Sequence, residues 1–182
     1  MNDSGKILLD SERFALVIDR LCQQLVEDCD DFEQTVLVGI QPRGPILAER
    51  IAARLEEILG KKLEIGKLDI TFYRDDFRLS DKQLFPHENH MPFFVAEKKV
   101  VLFDDVLFTG RTIQAALMAL QHYGRPARVE LLALVDRRFN RDLPIAADYI
   151  GISVDALDEA YVKVHWNEIH GKDEILLFEK KV

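Results

Sequence analysis

The sequence predicts an α/β protein built on a doubly wound, mostly parallel sheet. Three observations carry that reading. Val36–Ile40, Val100–Phe103 and Val129–Val135 are apolar runs without alternation, the pattern of strands covered on both faces. The first two are each followed by a loop containing glycine and then by apolar residues at helical spacing, over 46–59 and 112–123. Strand, loop and helix follow one another in the order that connects parallel strands.

The elements can be justified in turn. Phe14, Ile18, Leu21 and Leu25 recur at helical spacing within Ser11–Glu27, and Asp10 or Ser11 is the predicted N-cap. Val36–Ile40 is the first core strand. Gln41-Pro42-Arg43-Gly44-Pro45 breaks it, and the helix over 46–59 stops at Gly60. Leu63–Phe72 reads as a strand. Residues 73–97 are polar, irregular and rich in Asp, Arg, His and Pro, which predicts a long loop or mobile arm of the kind that serves binding. After Val100–Phe103 and the helix closed by Gly124, Val129–Val135 is the third core strand. Shorter strands are expected around Tyr149–Ser153, Tyr161–Trp166 and Ile175–Phe178.

At 182 residues, 48% of them hydrophobic, the chain suffices for one domain, 1–182, whose core needs no disulfide or metal staple. Cys22 and Cys29 stack on one face of the first helix about two turns apart, too far to bridge. They read as buried or half-buried thiols in a reducing compartment. The first residues lack a basic start and an apolar run, and no stretch has the length of a membrane span, so a cytoplasmic protein is expected. A net charge of −8 disfavours indiscriminate nucleic-acid or membrane binding without excluding a local basic face.

The chemistry is concentrated in Val100-Val101-Leu102-Phe103-Asp104-Asp105-Val106-Leu107-Phe108-Thr109-Gly110-Arg111-Thr112. Two carboxylates stand just past a buried strand, and a turn of small and hydroxyl residues then opens a helix. Backbone N–H groups, two hydroxyls and the positive end of a helix dipole suit Thr109, Gly110, Arg111 and Thr112 to one phosphate. Asp104 and Asp105 suit a ribose, whose neighbouring hydroxyls donate strong hydrogen bonds to carboxylates. Neither the Gly-x-x-x-x-Gly-Lys-Ser/Thr loop nor the Gly-x-Gly-x-x-Gly fingerprint of rival phosphate folds is present.

This motif resembles the phosphoribosyl pyrophosphate (PRPP) motif of the type I phosphoribosyltransferases, four apolar residues, paired acids and a Thr-Gly-x-Thr turn. The resemblance implies the corresponding fold: a central, mostly parallel sheet flanked by helices, a mobile lid loop and a small base-binding hood. It makes Val106, Leu107 and Phe108 part of the PRPP site and assigns pyrophosphate to Arg43-Gly44. It also fits Arg74, which opens the long loop, as a clamp on the leaving group. Tyr73-Arg74-Asp75-Asp76, Leu134-Val135-Asp136-Arg137 and Leu143-Pro144-Ile145-Ala146-Ala147-Asp148-Tyr149-Ile150-Gly151 further resemble the pyrimidine operon attenuation regulators, the PyrR family, in the family's order.

That closer resemblance implies transfer of the phosphoribosyl group from PRPP to uracil, giving UMP and pyrophosphate. Magnesium would be carried on PRPP oxygens rather than by a protein cage, and the protein would form homodimers or larger homo-oligomers. The base pocket would draw on Val135, Asp136 and Arg137 and on Tyr149 to Asp155. Two other readings stay open, a UMP-responsive RNA-binding attenuator and a transferase for a purine base. The tract Arg137-Arg138-Phe139-Asn140-Arg141-Asp142 is longer than the family's and lacks its His, and Ala146 stands where relatives often carry Arg. The first helix ends in Asp28, Cys29, Asp30 and Asp31 where a phosphate-binding face wants cations. These departures weigh against the RNA half of the resemblance and leave the PRPP half intact.

Overall fold

A computed structural model describes residues 5–29, 31–75, 86–156 and 160–178. In chain order its elements are β1 (Lys6–Leu9), α1 (Ser11–Cys29), β2 (Thr35–Ile40), α2 (Gly44–Leu59), β3 (Ile65–Leu68), β4 (Lys99–Leu107), α3 (Arg111–Leu120), β5 (Arg128–Arg138), β6 (Tyr149–Asp155), β7 (Tyr161–His165), α4 (Asn167–His170) and β8 (Glu174–Phe178). Single 3-10 turns occupy Thr71–Tyr73 and Gln121–Tyr123.

Five strands form a wholly parallel sheet in the order β3-β2-β4-β5-β6. Its strands are apolar throughout because both faces are covered. Val101 and Phe103 join the cluster beneath α1 and α2, while their alternate neighbours Val100 and Leu102 join the cluster beneath α3. On α2, Leu47, Ile51 and Leu55 are fully buried, each worth about 1.5–3 kcal/mol of transfer from water. A second, antiparallel sheet of order β1-β8-β7 forms a small hood. Trp166 sits in its base at 0% exposure, edge-on to Phe14 of α1 and under the Arg50 guanidinium.

The expected α/β architecture, parallel sheet and flanking helices are all present. Several boundaries move. The strand expected over Leu63–Phe72 is only Ile65–Leu68, because the 3-10 turn at Thr71–Tyr73 ends it. The strand expected at Val100–Phe103 continues to Leu107, since β5 keeps pairing with it. Asp10, rather than Ser11, caps α1: its Oδ1 accepts from Arg13 N–H at 2.9 Å. Ser11 Oγ instead donates to the Asp173 carbonyl at 2.7 Å. Cys22 and Cys29 are unbridged and buried, as expected. Of the expected mobile arm, residues 76–85, which include Asp76, lie outside the described residues. No described helix is long and apolar enough to cross a membrane.

Candidate active site

Asp104 and Asp105 lie within β4 and not beyond it. Asp104 pairs in register with Ala133 and Leu107 with Asp136. The strand therefore carries the acids down to 7% and 8% exposure. The Asp105 amide N–H donates to Asp104 Oδ1 at 3.0 Å, and Arg43 Nη1 approaches Asp105 Oδ2 at 3.5 Å. Burial pushes the Asp104 carboxyl well above its ordinary pKa and the charge of Asp105 pushes it further, with Arg74 and Arg43 opposing. Burial raises Asp105 too, against the pull of Arg43. Both acids are held where a negative charge is costly unless a ligand or cation compensates it.

Beyond β4 the chain turns through Phe108, Thr109 and Gly110 into α3. Gly110 is left-handed at φ +92°, a region L side chains rarely adopt. Gly110 at the N-cap has no side chain to offer α3; Thr109 Oγ1 accepts from the Arg111 N–H at 3.4 Å, and the helix start faces the turn with the positive end of its dipole. Arg74, Asp104, Val106, Leu107, Phe108, Thr109, Gly110, Arg111, Thr112 and Ile113 together line a cavity of about 290 Å³.

The loop after β5 braces this turn. The N–H groups of Asp142 and Leu143 both donate to the Thr109 carbonyl, at 3.0 and 3.2 Å. Arg111 Nε donates to Asp142 at 2.9 Å, and its Nη1 pairs with Asp75. Arg141 reaches back to the Phe108 carbonyl and the Asp136 carboxylate. Arg137 stacks its guanidinium 3.9 Å from the Phe108 ring centroid and donates to the Ala160 carbonyl at 2.7 Å.

On the other side, α2 begins hard against β4. A Cβ on Gly44 would lie 2.3 Å from the Phe103 carbonyl oxygen, and one on Gly39 would lie 2.5 Å from backbone atoms of Pro45. Glycine at both positions lets the Gln41–Arg43 loop approach the acid pair.

The structure thus gathers Arg74, Asp104 and 106–112 around one cavity, with Asp105 and Arg43 joined to it by their ion pair. Asp136 and Arg137 stand one strand away, buried and engaged with Arg141 and Phe108. Arg111, expected to hold phosphate, has its side chain committed to Asp75 and Asp142, which leaves its backbone for the turn. Arg141, Asp142 and Asp75 were not predicted as site residues. The sequence puts Asp75 in the PyrR-like segment 73–76 and Arg141 and Asp142 in the tract 137–142, but their charge alone does not show which loop folds back onto the turn.

A family model described as Phosphoribosyl transferase domain matches residues 4–169. The chain is a phosphoribosyltransferase-family protein. Among curated proteins, Bifunctional protein PyrR of Bacillus mycoides (strain KBAB4) is 40% identical over 96% of this chain and 97% of its own length. The PyrR of Bacillus anthracis (strain CDC 684 / NRRL 3495) matches to the same extent. The phosphoribosyltransferase fold is matched by solved structures. A hypoxanthine phosphoribosyltransferase from Staphylococcus aureus superposes with a TM-score of 0.70 at 22% identity, covering 100% of this chain and 98% of that one. The hypoxanthine phosphoribosyltransferase of Trypanosoma cruzi gives 0.72 at 15% identity, covering 98% of both chains. At such identities these likenesses speak for the fold alone.

Proposed function

We propose that this phosphoribosyltransferase uses uracil, converting uracil and PRPP to UMP and pyrophosphate. The observation that carries the PRPP site is the shared cavity: buried Asp104, with Asp105 next to it in the strand, faces the same space as the start of α3, which is entered through a left-handed glycine. That spacing suits one ligand carrying a phosphate at one end and a diol beside it. The choice of uracil is supported by the 40% identity to PyrR proteins and by the ordered segments that resemble that family.

In this reaction the electron pair of the bond between the anomeric carbon and pyrophosphate leaves with pyrophosphate, and a ring nitrogen of uracil bonds to that carbon and loses its proton. Charge builds up positive on the ribose and negative on the leaving group, so electrostatic positioning does most of the work. Thr109, Gly110, Arg111 and Thr112 hold the 5′-phosphate through backbone and hydroxyl donors. Asp104 and Asp105 accept from the ribose hydroxyls and favour positive charge on the sugar. Arg43, Gly44 and Arg74 meet the pyrophosphate. The stacked pair of Phe108 and Arg137, with Asp136, walls the side where β5 ends and the base is expected.

The acid pair also fits magnesium carried by PRPP, because a cation beside two buried carboxylates offsets their mutual repulsion. When bound, magnesium would neutralise charge on the departing diphosphate. Asp104 and Asp105 would be the residues whose charge favours it there.

The RNA-binding reading finds weaker support in the loop after β5. Arg138 is paired with Asp155 at 2.6 Å, Arg141 is turned inward, and Arg137 is buried. A screen of free bases with PRPP, reading pyrophosphate release, tests the proposal. Turnover with uracil supports it, and turnover with hypoxanthine or guanine in place of uracil overturns the base assignment. A gel shift with pyrimidine operon leader RNA, with and without UMP, tests the regulator.

A further inference from the structure

Asp69 lies just after β3 at 5% exposure and does not line the cavity. Its carboxylate nevertheless accepts three hydrogen bonds from the described residues. Oδ1 accepts from Thr71 N–H at 2.7 Å, while Oδ2 accepts from Thr71 Oγ1 at 3.1 Å and from His87 N–H at 2.6 Å. Asp69's own N–H donates to Asn89 Oδ1 at 2.6 Å. One buried carboxylate therefore ties together two segments far apart in sequence, 69–74 and 87–90.

Each segment leads to a cation beside the acid pair. The turn Thr71–Tyr73 delivers the chain to Arg74, which lines the cavity with Asp104. On the other arm, the Glu88 carbonyl accepts from Gln41 Nε2 at 2.8 Å, and His90 exchanges backbone bonds with Lys67. Gln41 N–H in turn donates to the Leu68 carbonyl at 2.9 Å. Gln41 opens the loop that presents Arg43 to Asp105.

We propose that Asp69 is a positioning residue for PRPP, acting through Thr71 on Arg74 and through His87, Glu88 and Gln41 on Arg43. The two guanidinium groups assigned to the pyrophosphate are thereby held in register from a single buried anchor. A carboxylate is needed because three donors converge on it. An amide in its place would set its NH₂ against an N–H in either orientation, that of Thr71 or that of His87. The inference rests on the phosphoribosyltransferase reading and deepens it, since it concerns the pyrophosphate half of the substrate only.

The test compares two ligands by calorimetry. PRPP carries phosphate, ribose and pyrophosphate; ribose 5-phosphate lacks the pyrophosphate. For Asp69→Asn the expected result is PRPP affinity lowered about tenfold with ribose 5-phosphate affinity unchanged, as loss of aligned charge contacts requires. Thr71→Val removes one donor and should move PRPP in the same direction by less. Equal weakening of both ligands would mark a general loss of structure, and it would overturn the proposal, as would wild-type PRPP affinity in Asp69→Asn. Should Asp69→Asn fail to fold, Thr71→Val decides on the same comparison. A wild-type protein that binds PRPP but transfers nothing to uracil refutes the base assignment while leaving the Asp69 comparison intact.

Discussion

Arg141 pairs with Asp136 across the end of β5, and the same guanidinium donates to the Phe108 carbonyl. One side chain thus joins the strand expected to border the base to the first residue of the phosphate turn. Side-chain exposures of 22% and 13% leave this pair partly screened. Arg141→Ala strands the Asp136 carboxylate and an orphan carbonyl, so it should cost about 2–3 kcal/mol, below the range for a fully buried pair. Urea denaturation measures it, and an unchanged midpoint would refute the bracing role.

Asp104→Asn should move stability and activity in opposite directions. Folding raises the pKa of Asp104, so its ionised form is disfavoured in the native state. The stability held by the protonated form is complete below the unfolded carboxylate range near ~4 and is lost as pH rises through the raised native value. Melting at pH 8 should therefore occur several degrees higher in Asp104→Asn than in the parent, with the gap closing near ~pH 4. Turnover should fall by about 10²-fold or more. A variant less stable at pH 8 contradicts the electrostatic account.

The pH profile of kcat/KM for PRPP should show an acid limb above the ordinary carboxylate value, because ribose hydroxyls donate to ionised acids whose pKa values are raised. Arg43 holds the Asp105 value down, so Arg43→Gln should shift the limb to higher pH. A limb that stays in place shows that Arg43 does not act on the acid pair.

Gly44→Ala puts a methyl group 2.3 Å from the Phe103 carbonyl oxygen, a backbone atom that cannot swing aside. The expected cost is about 2 kcal/mol or more, with loss of PRPP binding as α2 is pushed off β4. Calorimetric titration of the folded variant with PRPP checks the second part.

What was legible beforehand follows from how local each signal is. Val100–Thr112 announced itself because strand, acids, glycine and helix start are contiguous, and the cavity is built on that stretch. The extension of β4 past Phe103 was hidden, since Asp104 and Asp105 look like strand breakers until β5 is seen pairing beside them. β1 escaped detection for a related reason: four residues acquire strand identity only from β8, far along the chain. Arg141 could be read as an outward cation because composition does not record that Phe108 leaves a carbonyl for it to reach. The aromatics Tyr161 and Trp166 both belong to the hood, Tyr161 stacked on Phe178 and Trp166 buried against Phe14.

The hood carries a consequence for how the chain is made. Its middle strand, β8, pairs Lys6 with Leu177 on one side and Tyr161 with Phe178 on the other. The parallel sheet can assemble from neighbouring strands as they emerge from the ribosome, but β1 must wait with no partner until Glu174–Phe178 has been synthesised. Hood closure is therefore the high-contact-order, late event of folding. A nascent chain stalled before residue 174 should hold a protected parallel core and an exchange-labile β1, so the phosphate turn takes shape before the hood does.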